Sequence, residues 1–215
     1  MRLAQPWLLL VSPAATWRAL EGGPWPAFAA QALLLLLGWM VSRRPMAELS
    51  KTAGMGQGGG LGSFVLLLLV ILIAYCLIAV LLALFLRALG STAGFVRILT
   101  WLAYGATPLV IGRCIGLLSF AIVQPLAKQP AEAIALQVNP LGWLSLAGLF
   151  RPLSLSWTFA SALDLFAIWA LVLLTTGALH YLKLGVARAS ALVSGLLIIW
   201  LLALTAVWQG LQRSL

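Results

Sequence analysis

The chain is 215 residues long, and 63% of its residues are hydrophobic while only 8% are charged. A soluble domain carries about 25% charged residues, because its surface has to be hydrated by water. Thirteen bases and four acids are too few for a compact body of this size, so the composition excludes an ordinary soluble enzyme and indicates one membrane-embedded unit. The net charge of +9 does not indicate nucleic-acid binding, because the bases are scattered along the chain rather than clustered on one face.

The N-terminal segment, residues 1–25, precedes the first long apolar run. Within it, PAATWRAL at 13–20 has the pattern of a short amphipathic helix, which we expect to rest on the membrane surface. The apolar stretch at 7–11 is too short for a signal peptide, and no clear cleavage site follows it. We therefore divide the chain into this interfacial segment and a transmembrane domain over residues 26–215.

Five stretches have the apolar character that a helix needs to cross a bilayer core roughly 30 Å thick. They cover residues 26–41, 64–86, 98–123, 157–181 and 189–208. The second contains no charge before Arg87 and is the clearest. In the third, Pro108 lacks a backbone donor, which predicts a bend between Tyr104 and Pro108. The predicted fold class is all-α: a polytopic bundle of about five transmembrane helices with a short interfacial N-terminal helix.

The connections between these spans differ in kind. The run GMGQGGGLG within residues 45–62 lacks the lysine and the strand that a phosphate-binding loop needs, so we interpret it as a flexible loop. Residues 124–156 are interpreted as a partly interfacial loop, and the alternative is a sixth span at 133–150 with Asn139 and Pro140 near its centre. Lys and Arg are divided six against six between the two faces, so charge bias does not decide the orientation.

Asp164 and Arg113 are the candidate polar site within the predicted spans. A charged group at the centre of a membrane helix costs about 2.5–3.5 kcal/mol on insertion scales, so it normally faces the bundle interior or water. Asp164 is either a proton or substrate site or a structural contact, neutral through burial or paired with Arg113, and we favour the structural interpretation. Arg113 either meets Asp164 or extends to an interface, and its neighbours Gly112 and Gly116 permit close helix packing.

The other chemistry-bearing residues do not form a recognisable catalytic or metal-binding set. His180 is the only histidine, and both cysteines lie within apolar runs, so neither a metal site nor a disulfide framework is predicted. No Walker loop, nucleophile elbow or zinc-protease motif occurs. The sequence therefore predicts no enzymatic activity and no cofactor.

Three segments, in this order along the chain, carry a similarity to a known family. They are SPAATWRAL followed by GGPWP, then LGSTAGFVRILTWLAYGATPLVIG, and finally LDLFAIWALVLLTTGALHYLKL. Together they resemble the Yip (Ypt-interacting protein) domain family, in particular its bacterial branch. The positions that match its motifs are Tyr104, Pro108, Asp164, Phe166, Trp169 and Gly177.

The resemblance implies five spans with a cytosolic N-terminus and, for the bacterial branch, a place in the inner membrane. Eukaryotic members are associated with Rab-type GTPases through a long cytosolic N-terminal region, which about 25 residues do not supply, so no GTPase partner is expected here. The expected function is non-enzymatic membrane organisation or assembly. Its partners would be the lipid bilayer and other membrane proteins or a second copy of the chain. The alternative is a small transporter or channel subunit that uses Asp164 and Arg113.

Overall fold

The structure, a computed structural model, describes residues 11–20, 22–52, 61–88, 90–123 and 164–214, together with Leu8. The regular elements within these residues are helices, and strands do not occur among them. The helices are α1 Pro13–Ala19, α2 Trp25–Thr52, α3 Leu61–Ala88, α4 Phe95–Gly105, α5 Thr107–Val123, α6 Leu165–His180 and α7 Val186–Ser214. The predicted all-α fold class is confirmed.

Three stretches of the described residues are long and apolar enough to cross a membrane: Trp25–Arg43, Phe64–Ala88 and Phe95–Ser119. They correspond to the first three predicted spans. The fourth and fifth predicted spans coincide with shorter apolar helices, Leu165–His180 and Val186–Leu202. The protein is therefore a polytopic helical membrane protein, and the exact limits of its spans remain a prediction.

The third stretch is interrupted at Ala106, between α4 and α5. Ala106 has φ −86° and ψ −3°, and its N–H still donates to the carbonyl of Leu102 at 2.9 Å. Pro108 has no N–H, so it cannot bond to the carbonyl of Tyr104, the residue four positions before it. This missing bond explains why the helix breaks within the interval predicted from the sequence.

α6 is the central element of the described bundle, since it contacts α1, α4, α5 and α7. α2 packs along α5, and α3 packs mainly against α4. The largest side chains of the core come from α1, α3 and α4 and include Trp17, Trp101, Tyr104, Leu86 and Ile98. The core therefore lies around the junction of α1, α4 and α6.

α3 is mostly uncovered by the rest of the described bundle. Of the 25 residues in the stretch Phe64–Ala88, only five are buried. Its exposed side chains recur at helical spacing and are large and aliphatic: Leu66, Leu69, Val70, Ile73, Leu77, Val80, Leu81 and Leu84. A contiguous apolar face of this length is poorly solvated by water, so it indicates contact with lipid or with another membrane helix.

α1 lies against α6, and one of its faces enters the core. Trp17 is only 1% exposed, while the neighbouring Arg18 is exposed. Pro13 and Val11 line a groove together with Ile168 of α6, nearer the start of that helix. The helix is thus amphipathic, as predicted, and its apolar face packs on α6. Its depth in the membrane remains a prediction.

Several expectations fall outside the described residues. They are residues 53–60 of the loop predicted at 45–62, the interfacial interpretation of residues 124–156, the alternative span at 133–150 and the start of the fourth span at 157–163. The ends of that predicted loop are helical, which corrects the prediction, since α2 continues to Thr52 and α3 begins at Leu61.

Candidate functional site

Gly177 of α6 forms a notch that holds two indole rings. A Cβ at this position would lie 2.6 Å from Cδ1 of Trp101 and 2.7 Å from Cε2 and Cζ2 of Trp17. Both rings are buried, since Trp101 is 0% and Trp17 1% exposed. Neither ring has open space into which it can move, so the packing requires glycine at position 177.

Both indoles also hydrogen-bond to the main chain of α6. Nε1 of Trp17 donates to the carbonyl of Leu173 at 3.1 Å, and Nε1 of Trp101 donates to the carbonyl of Leu174 at 2.9 Å. These carbonyls lie one turn before Gly177, on the side toward which a helical side chain at 177 would point. A buried indole N–H needs an acceptor, and a helix carbonyl has a second lone pair to offer. Gly177 therefore gives α1 and α4 access to the backbone of α6.

The aromatic cluster, which we define as Trp17, Trp101, Tyr104 and Tyr181, continues beyond this notch. The ring centroid of Trp17 lies 6.3 Å from that of Tyr104, edge to face, and 5.5 Å from that of Tyr181. The Tyr104 hydroxyl is buried and has no hydrogen-bond partner among the described residues. The contribution of Tyr104 that the structure shows is packing.

Arg97 connects the cluster to the end of the bundle. Its Cζ lies 4.9 Å from the centroid of the Tyr181 ring, which is the geometry of a cation–π contact. Its Nη2 also donates to the carbonyl of Tyr181. Since Arg97 is in the first turn of α4 and Tyr181 follows α6, these contacts bring the start of one helix to the end of the other.

Gln31 of α2 supplies a hydrogen-bond donor to the main chain at the point where α4 ends. Its Nε2 donates to the carbonyl of Ala103 at 2.6 Å and to Oγ1 of Thr107 at 3.3 Å. Thr107 Oγ1 in turn donates to the carbonyl of Ala103 at 3.3 Å. The side chain of Tyr75 on α3 lies close to Gln31. Because lipid cannot satisfy polar groups, the buried amide of Gln31 stabilises the break and joins it to α2.

Two further glycines allow helices to approach α6 closely. A Cβ at Gly112 would lie 2.7 Å from Cγ of Phe166, and one at Gly105 would lie 2.8 Å from Cγ of Leu174. The motif residue Phe166 therefore packs onto a glycine that the sequence had indicated as a close-packing position. Gly195 differs, because a Cβ there would meet nothing within 4 Å, so it does not mark a close approach within the described residues.

Asp164 is the N-cap of α6. Its backbone is extended, with φ −79° and ψ 174°, and its Oδ1 accepts the N–H of Ala167 at 2.7 Å. An N-cap aspartate satisfies one of the amide groups that a helix start leaves unpaired. This geometry supports the structural interpretation of Asp164, while its pairing with Arg113 and its role in transport remain hypotheses.

Arg113 and Trp169 lie on other surfaces of the bundle. Arg113 lines a cavity between α2, α3 and α5 that also contains Trp39 and Leu117. Trp169 is exposed on α6 and faces the groove beside Val11 and Pro13. The exposed indole of Trp169 suits contact with lipid or a neighbouring helix.

The aromatic cluster offers packing, hydrogen bonding and one stacked guanidinium, but no nucleophile paired with a base. Within the described part of the chain, no group of three or more His, Cys, Asp or Glu side chains is placed to hold a metal ion. The arrangement is suited to holding helices together and to binding an anion beside Arg97.

Several residues of this site were not singled out by the sequence reasoning: Gln31, Trp101, Arg97 and Tyr181. Gln31 is a single polar residue within the apolar run FAAQALLLLL, which was an available signal of an interhelical hydrogen bond. Trp101 lies in the second motif segment, and its spacing of three residues from Tyr104 was a signal that both lie on one helix face. Trp17 belongs to the helix predicted to rest on the membrane surface, and its side chain is in the core.

Comparison with known families agrees with this organisation. A model of the Yip1 domain matches residues 7–207, which include α1, the interrupted α4–α5 stretch and α6. No curated protein and no solved structure gives a significant match. Together with the apolar helices, the match shows an integral membrane protein. The chain belongs to the Yip1 domain family.

Proposed function

We propose that this chain organises or assembles other components within a membrane and performs no catalysis. Membership of the Yip1 family points to a membrane protein with a non-enzymatic role. The finer role is supported by the way the described helices are joined: indole-to-carbonyl hydrogen bonds, glycine contacts and the Gln31 network build a fixed scaffold rather than a reactive site.

The observation that carries this proposal is the exposed face of α3. The aliphatic side chains of this face, from Leu66 to Leu84, are about half exposed or more, and only five of the 25 residues of the span are buried. Helix association in lipid is driven by packing. The side chains of this face are therefore available to pack against a second copy of the chain or against another membrane protein.

We further propose that the chain lies in a bacterial inner membrane with its N-terminus in the cytosol. The family resemblance supports this orientation. With this orientation Arg87, Arg97, Lys183 and Arg188 all lie on the cytosolic side, at or between helix ends that the Arg97–Tyr181 contact brings together.

The experiment is site-specific photo-crosslinking of the full chain in native membranes. A photoreactive amino acid at Leu77 or Leu81, both on the exposed face of α3, is expected to give a discrete and reproducible adduct with a protein. The matched control is Leu82, which is 8% exposed and faces the bundle, and which should give no intermolecular adduct. If Leu77 and Leu81 yield only lipid adducts, the assembly role is wrong.

A further inference from the structure

One end of the described bundle carries a group of bases, which we call the basic end. Its members are Arg18, Arg87, Arg97, Lys183 and Arg188. They belong to the last turns of α1 and α3, the first turns of α4 and α7, and the loop after α6. Among the described residues, no Asp or Glu lies at this end. Glu21 is outside the described residues.

A shallow cleft of about 590 Å³, wide open on its outer side, lies at the basic end beside Arg97. Apart from Arg97, its lining is largely apolar or aromatic: Leu20, Gly94, Phe95, Val96 and Tyr181. The cleft therefore combines one cation with side chains suited to a hydrocarbon or glycerol group, at the level where the helices end.

The contacts of Arg97 hold its guanidinium in place at this cleft. One N–H donates to the carbonyl of Tyr181, and the guanidinium stacks over the ring of the same residue. A guanidinium has five N–H donors in a planar fork, and this fork matches two oxygens of a phosphate. Stacking on the Tyr181 ring leaves N–H groups at the edge of the guanidinium available to a ligand. The two contacts with Tyr181 orient the guanidinium before a ligand binds.

We propose that this cleft binds the headgroup phosphate of an anionic phospholipid, with Arg97 as the phosphate ligand. The remaining bases of the basic end attract the negatively charged lipid surface, where each Lys or Arg contributes additively. The apolar lining favours a lipid over free phosphate, because Leu20, Phe95 and Val96 can cover the glycerol and the first methylenes of an acyl chain. This site does not depend on the proposed assembly role.

The first test compares lipids on the purified full chain in an uncharged detergent. Binding of phosphatidylglycerol and of phosphatidylcholine with the same acyl chains is measured by native mass spectrometry. The expected preference for phosphatidylglycerol is about five- to ten-fold, and Arg97→Gln should reduce it to less than about two-fold. Arg188→Gln removes a charge from the same end without lining the cleft, and it should leave most of the preference.

Three results would overturn the proposal. Equal binding of the two lipids would show that the headgroup charge is not recognised. Equal losses in Arg97→Gln and Arg188→Gln would show a diffuse surface field without a site. Competition by inorganic phosphate as effective as that by phosphatidylglycerol would show a free-anion site.

A second pair of variants keeps the test informative if Arg97→Gln fails to fold. Val96 is exposed, lines the cleft and lies in the first turn of α4, where a carboxylate is favourable for the helix. Val96→Glu should therefore fold and should abolish the preference for phosphatidylglycerol by repelling the phosphate. Val96→Gln has the same shape without the charge and should retain it. Equal behaviour of the two variants would contradict the proposed site.

Discussion

Replacing Gly177 by alanine introduces a methyl group where two indole rings already lie. The new Cβ would be 2.6 Å from Trp101 and 2.7 Å from Trp17, so at least one ring has to move. Each ring is fixed by a hydrogen bond to α6, at 3.1 Å from Leu173 and 2.9 Å from Leu174. We therefore expect the substitution to weaken the attachment of both α1 and α4.

The expected loss of stability follows from three contributions. Overpacking of a well-packed site costs about 1–3 kcal/mol. Two interhelical hydrogen bonds in a membrane contribute about 0.6 kcal/mol each. Alanine is a better helix former than glycine by about 1 kcal/mol, which acts in the opposite direction. The net expectation is a loss of about 1–3 kcal/mol in the free energy of unfolding.

The measurement is unfolding in mixed micelles by titration with a denaturing detergent, followed by near-ultraviolet circular dichroism. Gly195→Ala is the matched control, because it makes the same substitution in a helix where the new Cβ meets nothing within 4 Å. This control should be as stable as the unmodified chain or slightly more stable. Equal stability of Gly177→Ala and Gly195→Ala would refute the proposed notch.

Three further substitutions test the other contacts. Trp17→Phe keeps an aromatic ring but loses the indole donor, so it should lower the free energy of unfolding by about 1 kcal/mol. The control Trp169→Phe, on the exposed face of α6, should leave the stability unchanged. Equal effects of the two substitutions would contradict the difference in burial. Gln31→Leu should lower the free energy of unfolding by about 1–3 kcal/mol by leaving the break in α4 without a donor, and unchanged stability would show that the amide is dispensable. Asp164→Ala should cost about 1 kcal/mol through loss of the N-cap, and Asp164→Asn should retain most of it. Loss of solute flux in Asp164→Asn at unchanged stability would instead favour the transporter alternative.

The apolar helices and the helix break could be predicted from the sequence because they follow from local chemistry. The run up to Arg87 contains no charge, and a long charge-free helix has few alternatives to lipid. The interruption near Ala106 follows from the missing donor of Pro108, whatever the partners of the helix are.

The aromatic cluster was less accessible because it depends on contacts between distant parts of the chain. Trp17 and Leu173 are 156 residues apart, and nothing in PAATWRAL indicates that its aromatic residue is covered by protein instead of lipid. Gly177 was indicated only by family resemblance. The need for a glycine at this position becomes clear only from the packing of Trp17 and Trp101 against it. The sequence analysis placed Asp164 inside a span, and its role as the N-cap of α6 appears only in the structure.

Alkaline carbonate extraction tests most directly whether lipid solvates the apolar helices, above all the exposed face of α3. Membranes from cells that express the full chain are washed at high pH, which releases proteins held only by charge. The chain is expected to remain in the membrane pellet and to require detergent for release. Recovery of the folded chain in the aqueous supernatant, dispersed without detergent, would contradict its assignment as an integral membrane protein.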